Sequence, residues 1–432
     1  MSGVLVGFAG MTHLGVNSAA AALAHGFRVV GYDADAGVIE GLRRAEPPVL
    51  EPGLPEMLRL HASRANYTAD VAELLHCDLV YIVADVPTDD AGKSDLASIR
   101  RLIEAVSGAL ARSAILVVLC QVPPGFTRDL PLPSERLFYQ VETLVFGQAV
   151  ERARHPERII LGCADPSAAL PAALAEFLSA FACPILPMRY ESAELAKIAI
   201  NCCLVSSISV ANTLAELCER LGAEWSEIVP ALKLDRRIGQ HAYLAPGLGL
   251  AGGNLERDLA TVLKIAGETG AEAGLISSFV RNSRHRRDWV LRVLHTEVLP
   301  SSSDATIGIL GLAYKENTAS TKNSPALALI ECLSNWKIQA YDPLVAGSSV
   351  SHPRFVSGAR PEDAVKRADA LAVMTPWPQF RSLDLEAVAS AMRGRVVIDP
   401  YRTLEPGKVV GAGLDYFTLG ARPLRGKRRS DT

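Results

Sequence analysis

Apolar positions along the chain fall into two textures: short continuous runs, and longer stretches in which they recur at helical spacing. A short apolar run bounded by turn residues is what a strand buried on both faces looks like. Residues 4–9, 28–32, 79–83, 114–119 and 158–161 are such runs, with helical periodicity between several of them. This alternation predicts an α/β fold built on a mostly parallel sheet covered on both faces. Near residue 190 the texture changes, and from Glu191 to about Leu221 an Ala-, Leu- and Ser-rich run without proline predicts one long helix, buried on several sides or used for dimer packing. Past residues 300–304, Pro-Ser-Ser-Ser-Asp, the opening pattern returns: strand-like residues 307–313, a helix, then 338–343. The expected architecture is two Rossmann-like parallel-sheet domains joined by a central helical segment. The boundaries are placed at 1–190, 191–299 and 300–420, with a basic, disordered tail at 421–432.

The residues that follow the strands carry the candidate chemistry. After the first run, Gly10-Met11-Thr12-His13-Leu14-Gly15 leads into an Ala-rich helix at 16–25, and the second run closes with Asp33. Strand, glycine turn, helix, strand and acid is the dinucleotide-binding order, in which turn amides and the helix N-terminus hold pyrophosphate and the acid binds the ribose diol. The acid favours NAD over NADP. Thr12 stands where the middle glycine is expected, so a side chain is placed where backbone should approach the pyrophosphate. A second dense glycine stretch, residues 246–258, ends in Asn254, Glu256, Arg257 and Asp258, the composition of a loop that approaches a ligand closely.

Composition narrows the class. The chain has 432 residues, too many for one ordinary core, with 49% hydrophobic and 21% charged residues. A net charge of -3 gives no basic field, so neither nucleic acid nor an anionic membrane is an expected partner. The 8 cysteines (Cys77, Cys120, Cys163, Cys183, Cys202, Cys203, Cys218, Cys332) lie scattered in apolar runs without zinc-site spacing. They read as reduced thiols of a cytoplasmic protein, and no metal site is expected. No apolar stretch in the sequence is read as reaching the ~18 residues of a spanning helix, and no basic leader precedes the first run.

Several stretches, in order and over roughly residues 4–420, resemble the nucleotide-sugar 6-dehydrogenases, the UDP-glucose and GDP-mannose dehydrogenase family. They are Glu51-Pro52-Gly53-Leu54, Pro87-Thr88 with Gly92 and Asp95-Leu96, Val122-Pro123-Pro124-Gly125, Glu194-Leu195-Ala196-Lys197 with Asn201, and Arg237-Ile238-Gly239. To these add the glycine stretch, Leu310-Gly311-Leu312-Ala313-Tyr314-Lys315 with Thr318 and Ser324-Pro325, and Thr375-Pro376-Trp377. The resemblance implies an N-terminal NAD domain, a central dimer-forming helix and a C-terminal domain completing a nucleotide-sugar site. It also implies two successive oxidations at the sugar C6, the second through a cysteine thioester.

By the same resemblance, Lys197, Asn201 and Asp258 form the set that manages the oxyanion and water, and Glu142 matches a further family acid. Gly10, Thr12, Gly15, Asp33, Thr88 and Gln121 are expected at the cofactor, and Arg237, Tyr243, Leu244, Gly249, Lys315 and Arg402 at the nucleotide sugar, a UDP-sugar before a GDP-sugar. Arg237 is expected to reach across a homodimer interface. Lys197 and Asn201 are four residues apart, which places them on one helical face. The departures from the family concentrate on the second oxidation. Asn254 stands where the nucleophilic cysteine belongs, Phe146 where a second glutamate handles the hydrolytic water, and Gln121 where a threonine is usual. Tyr401 takes an arginine's place, with Arg402 one residue beyond, and Val86 replaces a threonine near the cofactor. An amide cannot form the thioester.

Three readings follow: an oxidoreductase limited to the two-electron alcohol/aldehyde step, with C5 epimerisation as a variant; a non-catalytic nucleotide-sugar or NAD-binding protein; or a four-electron dehydrogenase with a different nucleophile. Cys202 and Cys203 are the neighbouring thiols, but helical geometry turns them away from the Lys197/Asn201 face.

Overall fold

The computed structural model describes residues 3–49, 51–86, 94–301 and 304–427; Thr88, expected at the cofactor, lies outside them. The chain divides into two compact units, Met1–Ile200 and Asn201–Thr432. In the first, eight strands form one sheet: β1 (Leu5–Ala9), β2 (Arg28–Tyr32), β3 (Ala65–Thr68), β4 (Leu79–Ile82), β5 (Ile115–Val118), β6 (Leu137–Gln140), β7 (Ile159–Cys163) and β8 (Ile185–Arg189). Their order is β3-β2-β1-β4-β5-β6-β7-β8, with only the β6/β7 pair antiparallel. The second unit holds β9 (Thr306–Leu310), β10 (Lys337–Tyr341), β11 (Phe355–Ser357), β12 (Ala370–Val373), β13 (Val396–Ile398) and β14 (Asp415–Phe417). Their order, β11-β10-β9-β12-β13-β14, is parallel throughout and repeats the order of the first six strands. The two Rossmann-like sheets expected from the sequence are therefore present.

Burial explains the strands. Every residue of β4, β5, β9 and β12 is buried, as continuous apolar runs between two helical layers should be. In both sheets the chain reverses its direction of winding at the first strand, which opens a crevice at the carboxyl ends of β1 and β4 and of β9 and β12.

The long helix spans Tyr190–Leu221, 32 residues, and contains the boundary between the two units. By length and composition it could cross a membrane, which corrects the sequence reading that no stretch is apolar enough. That reading sought an unbroken apolar run, whereas this helix mixes Ala, Ile and Leu with Ser, Asn and Glu. One such helix is weak evidence for a membrane, because packed core helices share the property. Its Asn201 and Asn212 are buried, while Val210, Leu214, Leu217 and Leu221 stay exposed at helical spacing.

The expected disordered tail is partly wrong. Leu424 makes an antiparallel bridge to Tyr416, and Arg425 pairs with Glu297 (2.8 Å) and Asp415 (3.5 Å). Gly426 N–H also donates to Asp415 at 2.9 Å. Within 421–427, Leu424 and Arg425 are thus tied to β14 by one bridge and an ion pair; residues 428–432 lie outside the described part.

Candidate active site

The first crevice is shaped by the turn after β1. Gly10 has φ +99°, and a Cβ there would stand 2.7 Å from the Ala84 side chain; at Gly15 it would meet the Gly10 carbonyl oxygen at 2.1 Å. Backbone contact between turn, helix and β4 thus demands both glycines. The helix His13–Ala24 follows with no side-chain cap from Thr12, which leaves first-turn amides directed at the crevice. Asp33 closes β2 and accepts the Met11 N–H at 2.7 Å and the Asp35 N–H at 3.0 Å. The Thr12 hydroxyl donates to the Val83 carbonyl (3.3 Å) and accepts the Asp85 N–H (3.1 Å), tying the turn to the exit of β4. These features fit a dinucleotide pyrophosphate.

Beside this turn lies a buried pair that sequence reasoning did not single out as a site. His13 Nε2 is 2.7 Å from Glu51 Oε1, and the His13 ring stacks on Phe146 with centroids 4.0 Å apart. Glu51 also accepts the Gly147 and Ala149 amides at 2.9 and 3.3 Å. A fully hydrogen-bonded carboxylate of this kind fixes the loop after β6 against the first helix. The only sequence signal was Glu51 before Pro-Gly.

That loop begins with Glu142. Lys197 Nζ donates to the Glu142 carbonyl (2.9 Å) and pairs with Glu142 Oε2 (3.1 Å), both side chains being mostly buried. One turn earlier on the same helix, fully buried Glu194 accepts the amides of Gly125 (2.6 Å) and Thr127 (2.9 Å). Burial pushes the Glu194 pKa up, and the hydrogen bonds oppose it. Glu194 therefore latches the loop that begins with Gln121, just past β5, onto the helix that carries Lys197. These partners hold the Lys197 ammonium mostly out of solvent.

In the second unit, Asn201 Nδ2 donates to Asp258 Oδ2, and both residues are buried. Asp258 lies one turn into the helix Asn254–Thr269, whose first residue, Asn254, is exposed. Gly253, φ +92°, precedes it without a side-chain cap. Cys202 packs with Val205, Leu250, Leu255 and Leu259, and burial, with Asp258 nearby, raises its thiol pKa. A raised, packed thiol is a poor nucleophile.

The expected nucleotide-sugar residues do not share one setting. Gly249, φ +76°, is required by packing: a Cβ would lie 2.4 Å from the Ser283 carbonyl oxygen, and Ser283 Oγ accepts the Leu250 N–H at 2.8 Å. Leu244 is a core residue whose carbonyl accepts Trp225 Nε1–H at 2.7 Å, while Tyr243 is exposed. Arg237 projects from the surface and pairs with Asp235 at 2.6 Å. Arg402, φ +53°, is held by Glu224 and by Ser226 Oγ (3.1 Å). Lys315 lies over the Tyr314 ring, 5.6 Å from its centroid. Tyr401 is packed beside the glycine loop, where its phenol takes a hydrogen bond from the Leu248 backbone; burial pushes its pKa up. A sequence shows that a glycine or arginine is present, and not which neighbour claims it.

Sheet order, glycine turns and terminal acids define a two-sheet nucleotide-binding α/β protein. The chain belongs to the UDP-glucose/GDP-mannose dehydrogenase family. Residues 4–181 match the family's NAD binding domain, 191–284 its central domain and 308–406 its UDP binding domain. A UDP-glucose 6-dehydrogenase of Haloferax volcanii, AglM, is 30% identical over 95% of this chain and 98% of its own. The UDP-glucose 6-dehydrogenase of Pseudomonas aeruginosa is 29% identical over 96% and 97%. Among solved structures, a UDP-glucose dehydrogenase from Pyrobaculum islandicum superposes with TM-score 0.83 at 27% identity, covering 93% of this chain and 96% of that one.

Proposed function

We propose that this protein is an NAD-dependent oxidoreductase of a UDP-sugar that performs only the two-electron alcohol/aldehyde step at C6. The observation that carries the reading is Asn254. An exposed amide opens the helix at the end of the glycine loop, where the resemblance expects a thiol, while Lys197–Glu142 and Asn201–Asp258 form satisfied polar pairs. NAD, when bound, supplies the hydride acceptor. Lys197 stabilises negative charge developing on the C6 oxygen, and Glu142 keeps the ammonium in place. Asp258, oriented by Asn201, takes the hydroxyl proton directly or through water. Asn254 donates a hydrogen bond to the sugar oxygen and cannot capture the aldehyde covalently. Arg237, Tyr243 and Lys315 are proposed to serve the nucleotide part. Arg402, Leu244 and Gly249 act through packing and ion pairing.

The exposed stripe Val210, Leu214, Leu217 and Leu221 supports a homodimer built on the long helix, with the cytoplasm as its compartment. A non-catalytic reading is favoured by one feature, the Tyr401 phenol engaged with the glycine loop, which occupies room a ligand would need.

The test is stoichiometry. The purified protein is incubated with NAD and a panel of UDP- and GDP-sugars, NADH is followed by absorbance, and aldehyde is trapped with a hydrazine. One NADH per sugar with a trapped aldehyde is expected, and Lys197→Ala should lower the rate about a thousandfold. Two NADH and a carboxylate would overturn the two-electron reading; sugar binding without turnover would establish the non-catalytic one. Asn254→Cys is expected to restore some acid formation.

A further inference from the structure

The irregular stretch 141–148, between β6 and the helix Ala149–Arg154, is fixed at both ends. At its start the Lys197 ammonium donates to the Glu142 carbonyl (2.9 Å) and pairs with Glu142 Oε2 (3.1 Å), while Glu142 Oε1 accepts the Leu144 N–H. In its middle Arg152 Nε–H donates to the Thr143 carbonyl at 3.0 Å. At its end the chain turns over Val145–Gln148, closed by the Gln148 N–H on the Val145 carbonyl at 2.9 Å, with Gly147 at φ +83°. A positive φ at the third position of a turn is glycine's, and here the second position, Phe146, stacks on the His13 ring. One carboxylate holds this far end. Glu51 Oε1 accepts the His13 Nε2–H (2.7 Å) and the Gly147 N–H (2.9 Å), and Oε2 accepts the Ala149 N–H (3.3 Å). The Glu51 side chain is fully buried, and a carboxylate so placed keeps its position only while donors are supplied to it. Two of these donors are amides at the end of the stretch itself. The third, His13, comes from the turn after β1.

We infer that His13, acting through Glu51, is a positioning residue for Lys197: it holds the far end of this stretch so that Glu142, at the near end, meets the ammonium. This role presupposes the one proposed for Lys197 in the hydride step. The Lys197 side chain is mostly buried, and its counter-charge sits on irregular backbone. A shift of that backbone by about 1 Å stretches both Lys197 contacts past hydrogen-bond length, and a displacement of that size can cost roughly a hundredfold in rate. Without the imidazole N–H, a fully buried carboxylate is left one donor short. The stretch it carries must then move to admit water or another donor. His13 thus ties the placement of the lysine to the turn that receives the dinucleotide.

Reductive methylation of the full-length protein, followed by mass spectrometry of the peptide that carries Lys197, reports how firmly the amine is held without requiring turnover. His13→Leu keeps bulk beneath Phe146 and removes the N–H, whereas His13→Gln supplies an N–H again. Glu51→Gln replaces one accepting oxygen with a donor. Lys197 is expected to be methylated at least about tenfold faster in His13→Leu and Glu51→Gln, and within about threefold of wild type in His13→Gln. With NAD and whichever sugar of the panel is oxidised fastest, kcat should fall about tenfold in the first two variants with the sugar KM within about twofold, and His13→Gln should recover most of the loss. Thermal melting checks folding, and either of the first two variants alone carries the test. Unchanged methylation in a folded His13→Leu or Glu51→Gln protein would overturn the positioning role. So would methylation raised equally in His13→Gln, or a loss confined to KM. A wild-type protein that oxidises no sugar yet shows the methylation contrast would instead remove the hydride role of Lys197 and leave its placement by His13 standing.

Discussion

The two crevices begin alike and then part. Gly10 and Gly311 have φ +99° and +94°, and each donates its N–H to the tyrosine carbonyl that ends the next strand, both at 2.8 Å. Asp33 accepts the Met11 amide, and Asp342 accepts those of Leu312 and Ala313. Beyond this the first turn enters its helix at His13, whereas the second has no helix until Pro325. The intervening residues form a loop whose Tyr314 ring crowds Gly252 and whose Lys322 carbonyl accepts the Gly252 N–H at 3.1 Å. One strand order thus carries two different turns. The first leads straight into a helix whose opening amides face the crevice, and the second into a loop packed against glycines.

The comparison breaks most severely at the shared glycines. Gly10→Ala and Gly311→Ala each force an L side chain into a left-handed conformation and into backbone, with Thr375 Cβ 2.4 Å from a Cβ at 311. Each should cost about 2–4 kcal/mol in chemical denaturation. Isothermal titration should find NADH binding lost in the first and UDP binding lost in the second; loss of both ligands in either would deny that the crevices are separate binders. A smaller effect should separate backbone from side-chain recognition: Lys315→Ala is expected to weaken UDP about tenfold and leave NADH unchanged. UDP affinity unmoved by that change would take Lys315 out of the site. The smallest effect is at Tyr401, where Tyr401→Phe removes one phenolic hydrogen bond and should lower stability by about 1 kcal/mol. A rise in UDP affinity in the same variant would show that the phenol competes with ligand, while a fall would make it a contact.

Both crevices were legible from sequence because each pairs a glycine turn with an acid at the next strand's end, a pattern fixed by backbone geometry. Spacing put Lys197 and Asn201 on one helical face, and resemblance alone added Asp258 to them. The structure gives them Glu142 and one another as partners. Strands β3, β6 and β8, and β11 to β14 of the second sheet, were not expected: β3 is short and partly polar, β6 is short, β8 carries Pro187 and largely exposed residues at a sheet edge, and β11 to β14 are runs of only three or four residues. Glu51 and Glu194 escaped as site residues because their meaning lies in distant amides. Nothing near Glu194 in sequence announces Gly125 and Thr127. Gly249, Leu244 and Arg402 were assigned to ligand on resemblance; the neighbours the fold gives them are Ser283, Trp225 and Glu224.

The delayed helix after β9 also bears on how such a protein can change over time. Where amides hold the phosphate, substitution alters little, because every residue but proline offers the same N–H. Where a loop of side chains does the holding, each position is separately replaceable. New sugars or bases can therefore be explored one residue at a time on the second sheet while the first stays committed to its dinucleotide.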